Sequence, residues 1–193
     1  MKIQELLLPT LLSLILAACA TTGGSSGATV RSDYDHAANF AAYKTFGFVA
    51  PPGTEVDGYP AGITQSIKAA AQRELEARGY RHAESHPDLL VNFSALLTNK
   101  LKTDDLASQQ IGYYGYRKVA VYKTWSSYTY DKGSDPYTEG TLNIDIVDAR
   151  AGSLVWEGVA IGEVKDKALT NPQPAIDRVV AEIFAKYPFR AQP

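Results

Sequence analysis

The sequence predicts an α/β (α+β) domain, a mixed β-sheet of about five to six strands with two helices packed on one face. Three observations predict it. Apolar residues recur at helical spacing in two stretches, Ile63 to Leu75 and Ile176 to Tyr187. Other stretches alternate apolar and polar residues with the period of a strand. A strand, a helix and a second strand follow one another between Tyr43 and Leu97, which suggests a βαβ crossover, right-handed if its strands are parallel. The chain has 193 residues, 45% hydrophobic and 21% charged, with a net charge of −2. That length suits one domain, and a domain of this size buries about 70% of its unfolded surface without a covalent staple. The single cysteine excludes an intramolecular disulfide and a cysteine-based zinc site. The charge balance is not that of a nucleic-acid binder or of an acidic tail.

The amino end comes first. Leu6 to Leu16 is apolar apart from Pro9, Thr10 and Ser13. About 11 such residues match a secretory h-region and fall short of the ~20 needed to span a bilayer. Leu16-Ala17-Ala18-Cys19 follows and resembles the lipobox of bacterial lipoproteins. That resemblance implies diacylglycerol on the Cys19 thiol, cleavage just before it, and often further acylation of the new amino terminus. Two or three acyl chains anchor stably where one holds only marginally. Ala20, in place of the aspartate that retains lipoproteins at the inner membrane in enterobacteria, favours the outer membrane and its periplasmic face. Residues 20–29 are small, polar and glycine-rich, a flexible tether of roughly 17–19 Å root-mean-square span. The expected organisation is a signal peptide over 1–18, an acylated cysteine with its tether over 19–29, and one globular domain over 30–190.

Within that domain Val30 to Tyr34 is a short strand. Tyr43 to Val49 alternates with Phe46 and Phe48 on one face, and Pro51-Pro52-Gly53 ends it. The Pro- and Gly-rich stretch to Gly62 reads as loop. Ile63, Ile67, Ala70, Ala71 and Leu75 then form an apolar helical stripe opposite Arg73, Glu74, Glu76 and Arg78, with Gly79 placed to close the helix in the left-handed conformation. Arg81 to Pro87 reads as a polar turn. Leu89, Val91, Phe93, Ala95 and Leu97 line one face of a strand, and Asn92 and Ser94 on the other imply partial exposure. Gly140 to Val147 and Ser153 to Val164 are strands joined by the turn Asp148 to Gly152. Asn171-Pro172 reads as a helix cap followed by proline in the first turn. The second helix follows, and Pro188 ends it.

Several of these pieces, in this order, resemble the domain-of-unknown-function family 4136. They are Asp33-Tyr34-Asp35 with Phe40 to Phe46, Asp88-Leu89-Leu90-Val91, Tyr137 to Asp145, Leu154 to Gly158, and Tyr187-Pro188. The resemblance covers nearly all of residues 30–190. It implies a bacterial lipoprotein and brings no catalytic residues.

Four constellations carry possible chemistry. His82, His86 and Asp88 offer enough ligands for a metal, but Pro87 breaks any helix that would align the histidines, so an exposed polar turn is expected. Asp33, Asp35 and His36 supply the groups for acid–base work if a pocket gathers them. Asn143, Asp145 and Asp148 suggest a cation site, and more plainly the wet face of a strand followed by a turn. Ile111 to Tyr137 holds seven of the twelve tyrosines. There Tyr113, Tyr114, Tyr116, Tyr122, Trp125, Tyr128 and Tyr130 are interleaved with glycines and lysines and are the candidate partner-binding residues. Tyrosine's rigid ring and polar tip suit protein surfaces, sugars or lipid headgroups. The plainer alternative is that Val119 to Trp125 forms one more strand. No Gly-x-Ser-x-Gly elbow and no phosphate-cradling glycine pattern is present.

The expected function is a non-catalytic binding or assembly module of the bacterial envelope. It is held to the membrane by its lipid anchor, meets an envelope protein or a cell-wall component, and needs no cofactor, no metal and no nucleic acid. The alternative is an envelope hydrolase using Asp33, Asp35 and His36.

Overall fold

A computed structural model describes residues 26–100 and 137–191. Its strands are β1 (Thr29–Tyr34), β2 (Thr45–Phe48), β3 (Arg81–His82), β4 (Leu89–Lys100), β5 (Tyr137–Asp148) and β6 (Ser153–Glu163). Its α-helices are α1 (Gly53–Val56), α2 (Ala61–Glu76), α3 (Asp166–Thr170) and α4 (Gln173–Phe184). The strands form one mixed sheet in the order β1-β6-β5-β4-β2-β3. β1, β6, β5 and β4 pair antiparallel, whereas β4–β2 and β2–β3 are parallel. A parallel pair cannot be closed by a tight turn, and α2 provides the crossover from β2 to β4.

The core lies between the sheet and the α2/α4 layer. Leu89, Val91, Phe93, Ile144, Ile146 and Trp156 from the sheet meet Ile67, Ala71 and Leu75 of α2 and Val180, Ile183 and Phe184 of α4, all buried. The α2 stripe is the one the helical spacing predicts. α2 ends in a Schellman turn: Gly79, at φ +88°, donates to the Glu76 carbonyl, and Tyr80 donates back to Leu75. Pro172, at φ −72° and ψ −25°, stands at the N-cap position just before α4 and is already helical. No side-chain hydrogen bond caps the helix, so Asn171 does not serve as the cap the sequence suggests. α4 ends at Phe184, so Tyr187 packs from a closing turn in which its N–H bonds the Phe184 carbonyl.

Differences from the sequence expectation fall where side chains give no pattern. Arg81 and His82 form an edge strand rather than a turn. Both are exposed, and the segment is paired to β2 by backbone bonds, from Arg81 to the Lys44 carbonyl and from Ala83 to that of Phe46. Two short helices, α1 and α3, stand where no helix is expected. The largest correction concerns the second face of the sheet. Asn92, Ser94, Asn143 and Asp145 are at most 1% exposed, not partly wet. Asn92 Oδ1 accepts the Gly53 N–H at the start of α1 at 2.9 Å, and Asn143 donates to Asp145 at 2.6 Å. For Asn92, Asn143 and Asp145 polar identity reflects internal hydrogen bonding rather than contact with solvent, whereas the Ser94 hydroxyl is buried without a hydrogen-bond partner among the described residues.

One glycine sets the spacing of the layers. A Cβ on Gly158 of β6 would overlap the Trp156 ring and Ile183 of α4, so the missing side chain is what lets the indole lie beneath the helix. Gly158→Ala is expected to destabilise the domain by about 1–3 kcal/mol, the usual cost of overpacking. Urea denaturation checks this, and an unchanged midpoint would show that the indole moves freely.

Candidate functional site

Among the described residues a dense set of polar contacts lies at one end of the sheet, where β2 and β4 begin and β5 turns into β6. Asp88 Oδ2 accepts the N–H groups of Lys44 and Thr45 and the Thr45 hydroxyl, each at 2.9 Å. In return the Asp88 N–H donates to Thr45 Oγ1 at 3.0 Å. Next to this, the Tyr43 hydroxyl donates to Asp148 Oδ2 at 2.8 Å, and Asp148 Oδ1 accepts the N–H groups of Arg150 and Ala151. The two aspartates thus join three chain segments.

Their electrostatics follow from these partners. Partial burial works to raise the pKa of Asp88. The Lys44 N–H, the Thr45 hydroxyl and N–H and the Arg150 charge outweigh it and hold the carboxyl below its ordinary value. In Asp148 burial is likewise outweighed, by the Ala151 N–H, the Tyr43 hydroxyl, the Arg150 N–H and the Arg150 charge. Tyr43 is pushed far above the ordinary phenol value by burial, by its bond to Asp148, and by the negative charges of Asp148, Asp35 and Asp88. Its phenol therefore stays protonated and acts as a fixed donor. Carboxylates saturated with backbone donors and a phenol that does not ionise hold strands together and are poorly suited to moving protons.

An aromatic cluster backs this end of the sheet. Trp156 lies 5.1 Å edge-on from Tyr187 and stacks on Phe184 at 5.9 Å, while Phe40 stacks on Phe189 at 3.5 Å. The Tyr80 and Tyr187 hydroxyls bond each other at 3.1 Å. Burial, the largest cause in both, raises the two phenols.

The remaining sequence candidates are not gathered into one place. Asp33 is exposed on β1 and takes the Tyr34 N–H. Asp35 takes the Ala37 N–H in a turn. His36 is exposed with its ring 4.2 Å from that of Tyr34. His82 lies on β3 with its ring beside Phe46 and Phe48, His86 is an exposed residue at φ 50°, and Asp88 faces β2. Asn143 and Asp145 belong to the buried sheet face, away from Asp148 at the turn. Among the described residues no group of three or more His, Cys, Asp or Glu is placed to hold a metal ion. Cys19 and Tyr113, Tyr114, Tyr116, Tyr122, Trp125, Tyr128 and Tyr130 lie outside the described residues, as does the strand expected over Val119 to Trp125.

The buried row Asn92–Asp145–Glu157 is what sequence reasoning missed. Glu157 sits directly opposite Asp145 at 0% exposure. The only signal available was one amide and two acidic residues on three strands of the sheet, which reads equally well as a solvated face.

Residues 30–189 match the family described as Domain of unknown function (DUF4136). The chain belongs to this family. A DUF4136 family protein from Bacteroides thetaiotaomicron has a similar structure, with a TM-score of 0.60 and 20% identity over 86% of this chain and 98% of that one. A PDZ domain protein from Parabacteroides distasonis is similar with a TM-score of 0.55 and 14% identity, over 84% of this chain and 36% of that one. At these identities the likeness shows the fold alone. No curated protein matches the chain. The DUF4136 resemblance residues acquire structural roles here. Tyr43 to Phe46 and Asp88 to Val91 meet through the Asp88 contacts, and Trp156 to Gly158 and Tyr187 meet in the aromatic cluster.

Two measurements test this account. Asp88→Ala is expected to destabilise the domain by about 2–3 kcal/mol through the loss of charge-assisted hydrogen bonds, read by urea denaturation. Because the folded pKa values of Asp88 and Asp148 are depressed, their stabilisation is complete above the unfolded value of about 3.9 and is lost as pH falls through the folded values. Thermal melts should therefore show Tm falling below about pH 4, and the Asp88→Asn/Asp148→Asn pair should flatten that fall. An acid limb unchanged in the double variant would refute the assignment.

Proposed function

We propose that this DUF4136 chain is a lipid-anchored module of the bacterial cell envelope that binds or assembles rather than catalyses. The anchor is Cys19, the periplasmic face of the outer membrane is its site, and partner contacts come from the tyrosine-rich residues of the 101–136 connection. The partner is an envelope protein or a cell-wall component.

One observation carries the reading. Lys100 at the end of β4 is directly opposite Tyr137 at the start of β5. Paired residues of an antiparallel ladder have Cα atoms about 4.5–5.5 Å apart, and about two residues suffice to join such ends. Residues 101–136 are therefore not required to close the sheet, and the concentration of tyrosine, tryptophan and lysine there calls for another role. Rigid aromatic side chains are the usual anchors of protein interfaces. The discrete structural duties of Asp33, Asp35, Asp88 and Asp148 weigh in the same direction.

Replacing residues 101–136 by Asn-Gly is expected to leave the sheet folded, read by circular dichroism, and to abolish crosslinks to its partner in intact cells, read by mass spectrometry. Crosslinks that persist would remove the connection from the interface. Separately, Cys19→Ser is expected to leave the leader uncleaved and the chain without thioether-linked lipid, read by intact mass.

A further inference from the structure

We propose that the end of the sheet at which β4 finishes and β5 begins rests on the lipid surface, with Val56, Leu97 and Leu169 as its contact residues. This rests on the anchoring at Cys19 proposed above. The register places Thr29, where β1 begins, in one row with Ile161, Thr141 and Leu96. The chain thus joins the sheet at the same end as Leu97. It is clamped there. The Ser26 N–H and hydroxyl both donate to the Glu182 carboxylate of α4, and Ala28 lies against Gly162. From Cys19 to Ser26 the backbone reaches at most about 25 Å. β4 has twelve residues, a length of about 40 Å. An acylated Cys19 therefore holds this end near the bilayer and leaves the Asp148 to Gly152 turn as the distal end.

The described large apolar residues that remain exposed are Val56 at 38%, Leu97 at 46% and Leu169 at 50%, and the fold brings all three to this end. Val56 closes α1, which packs beside β4 where Gly53 meets Phe93 and Ser94. The Tyr59 hydroxyl, just beyond, lies close to the Leu97 backbone. Leu97 and Val164 flank Gly140 from either side, and Val164 leads through Lys165 into α3 and Leu169. Singly exposed apolar side chains need no explanation, and it is the position of the anchored amino-terminal segment that sets these three against lipid. Lys165 and Lys167 are balanced by Glu163 and Asp166, so electrostatic attraction to anionic lipid is not the driving term. The contact is apolar and forms on neutral lipid.

The test uses the full acylated chain in phosphatidylcholine vesicles. Acylation consumes the Cys19 thiol, so an introduced cysteine is the sole free one. Leu97→Cys, Leu169→Cys and, at the distal turn, Arg150→Cys are each labelled with an environment-sensitive fluorophore. Lipid-borne quencher is expected to quench positions 97 and 169 several-fold more than position 150, independent of salt. Equal quenching at all three positions, with the protein still floating with the vesicles, overturns the proposal, as does quenching that requires anionic lipid. Protein that fails to float and carries an unmodified Cys19 by intact mass overturns the anchoring itself.

Discussion

The Asp88 carboxylate governs how this sheet is put together. β2 and β4 are parallel and separated by a whole helix, so no turn sets their register. Asp88 does so by gathering the Lys44 and Thr45 N–H groups and the Thr45 hydroxyl onto one oxygen, while Thr45 Oγ1 takes the Asp88 N–H in return. A slip of one residue would turn either Phe46 of β2 or Leu89, Val91 and Phe93 of β4 away from α2 and break the Asp88 contacts as well. The Tyr43–Asp148 bond extends the same arrangement across to the β5–β6 turn. The antiparallel half of the sheet is thereby locked to the parallel half.

Behind this junction the aromatic cluster depends on one absent side chain. Trp156 occupies the space beside Gly158 under Ile183, with Phe184 and Tyr187 closing around its ring. The polar junction and the apolar cluster meet through Phe40 and Tyr43, whose rings are 5.9 Å apart. Hydrogen bonding at the sheet end and close packing behind it therefore reinforce each other.

Much of the fold was legible in the chain because its signals are local or periodic. The α2 stripe, Gly79 at the left-handed position, the alternation in β4 to β6 and the proline that precedes α4 each depend on a few neighbouring residues. Arg81–His82 was illegible as a strand, since backbone pairing with β2 leaves no trace in exposed side chains. Asn92, Ser94, Asn143 and Asp145 look half-wet in the sequence because alternation reports which residues share a face and not what covers that face. The role of Asp88 required knowing that residues 44 and 88 meet. Long-range contacts of this kind carry no period, and so the site was harder to foresee than the elements that build it.

The clamp between Ser26 and Glu182 has a mechanical consequence. Tension arriving through the amino-terminal segment reaches that contact first and then β1, which runs antiparallel to β6 from Thr29 to Tyr34. A pull along the strand axis loads this ladder in shear, and its hydrogen bonds share the force instead of peeling apart one by one. β1, though an edge strand, is thus oriented to bear a load.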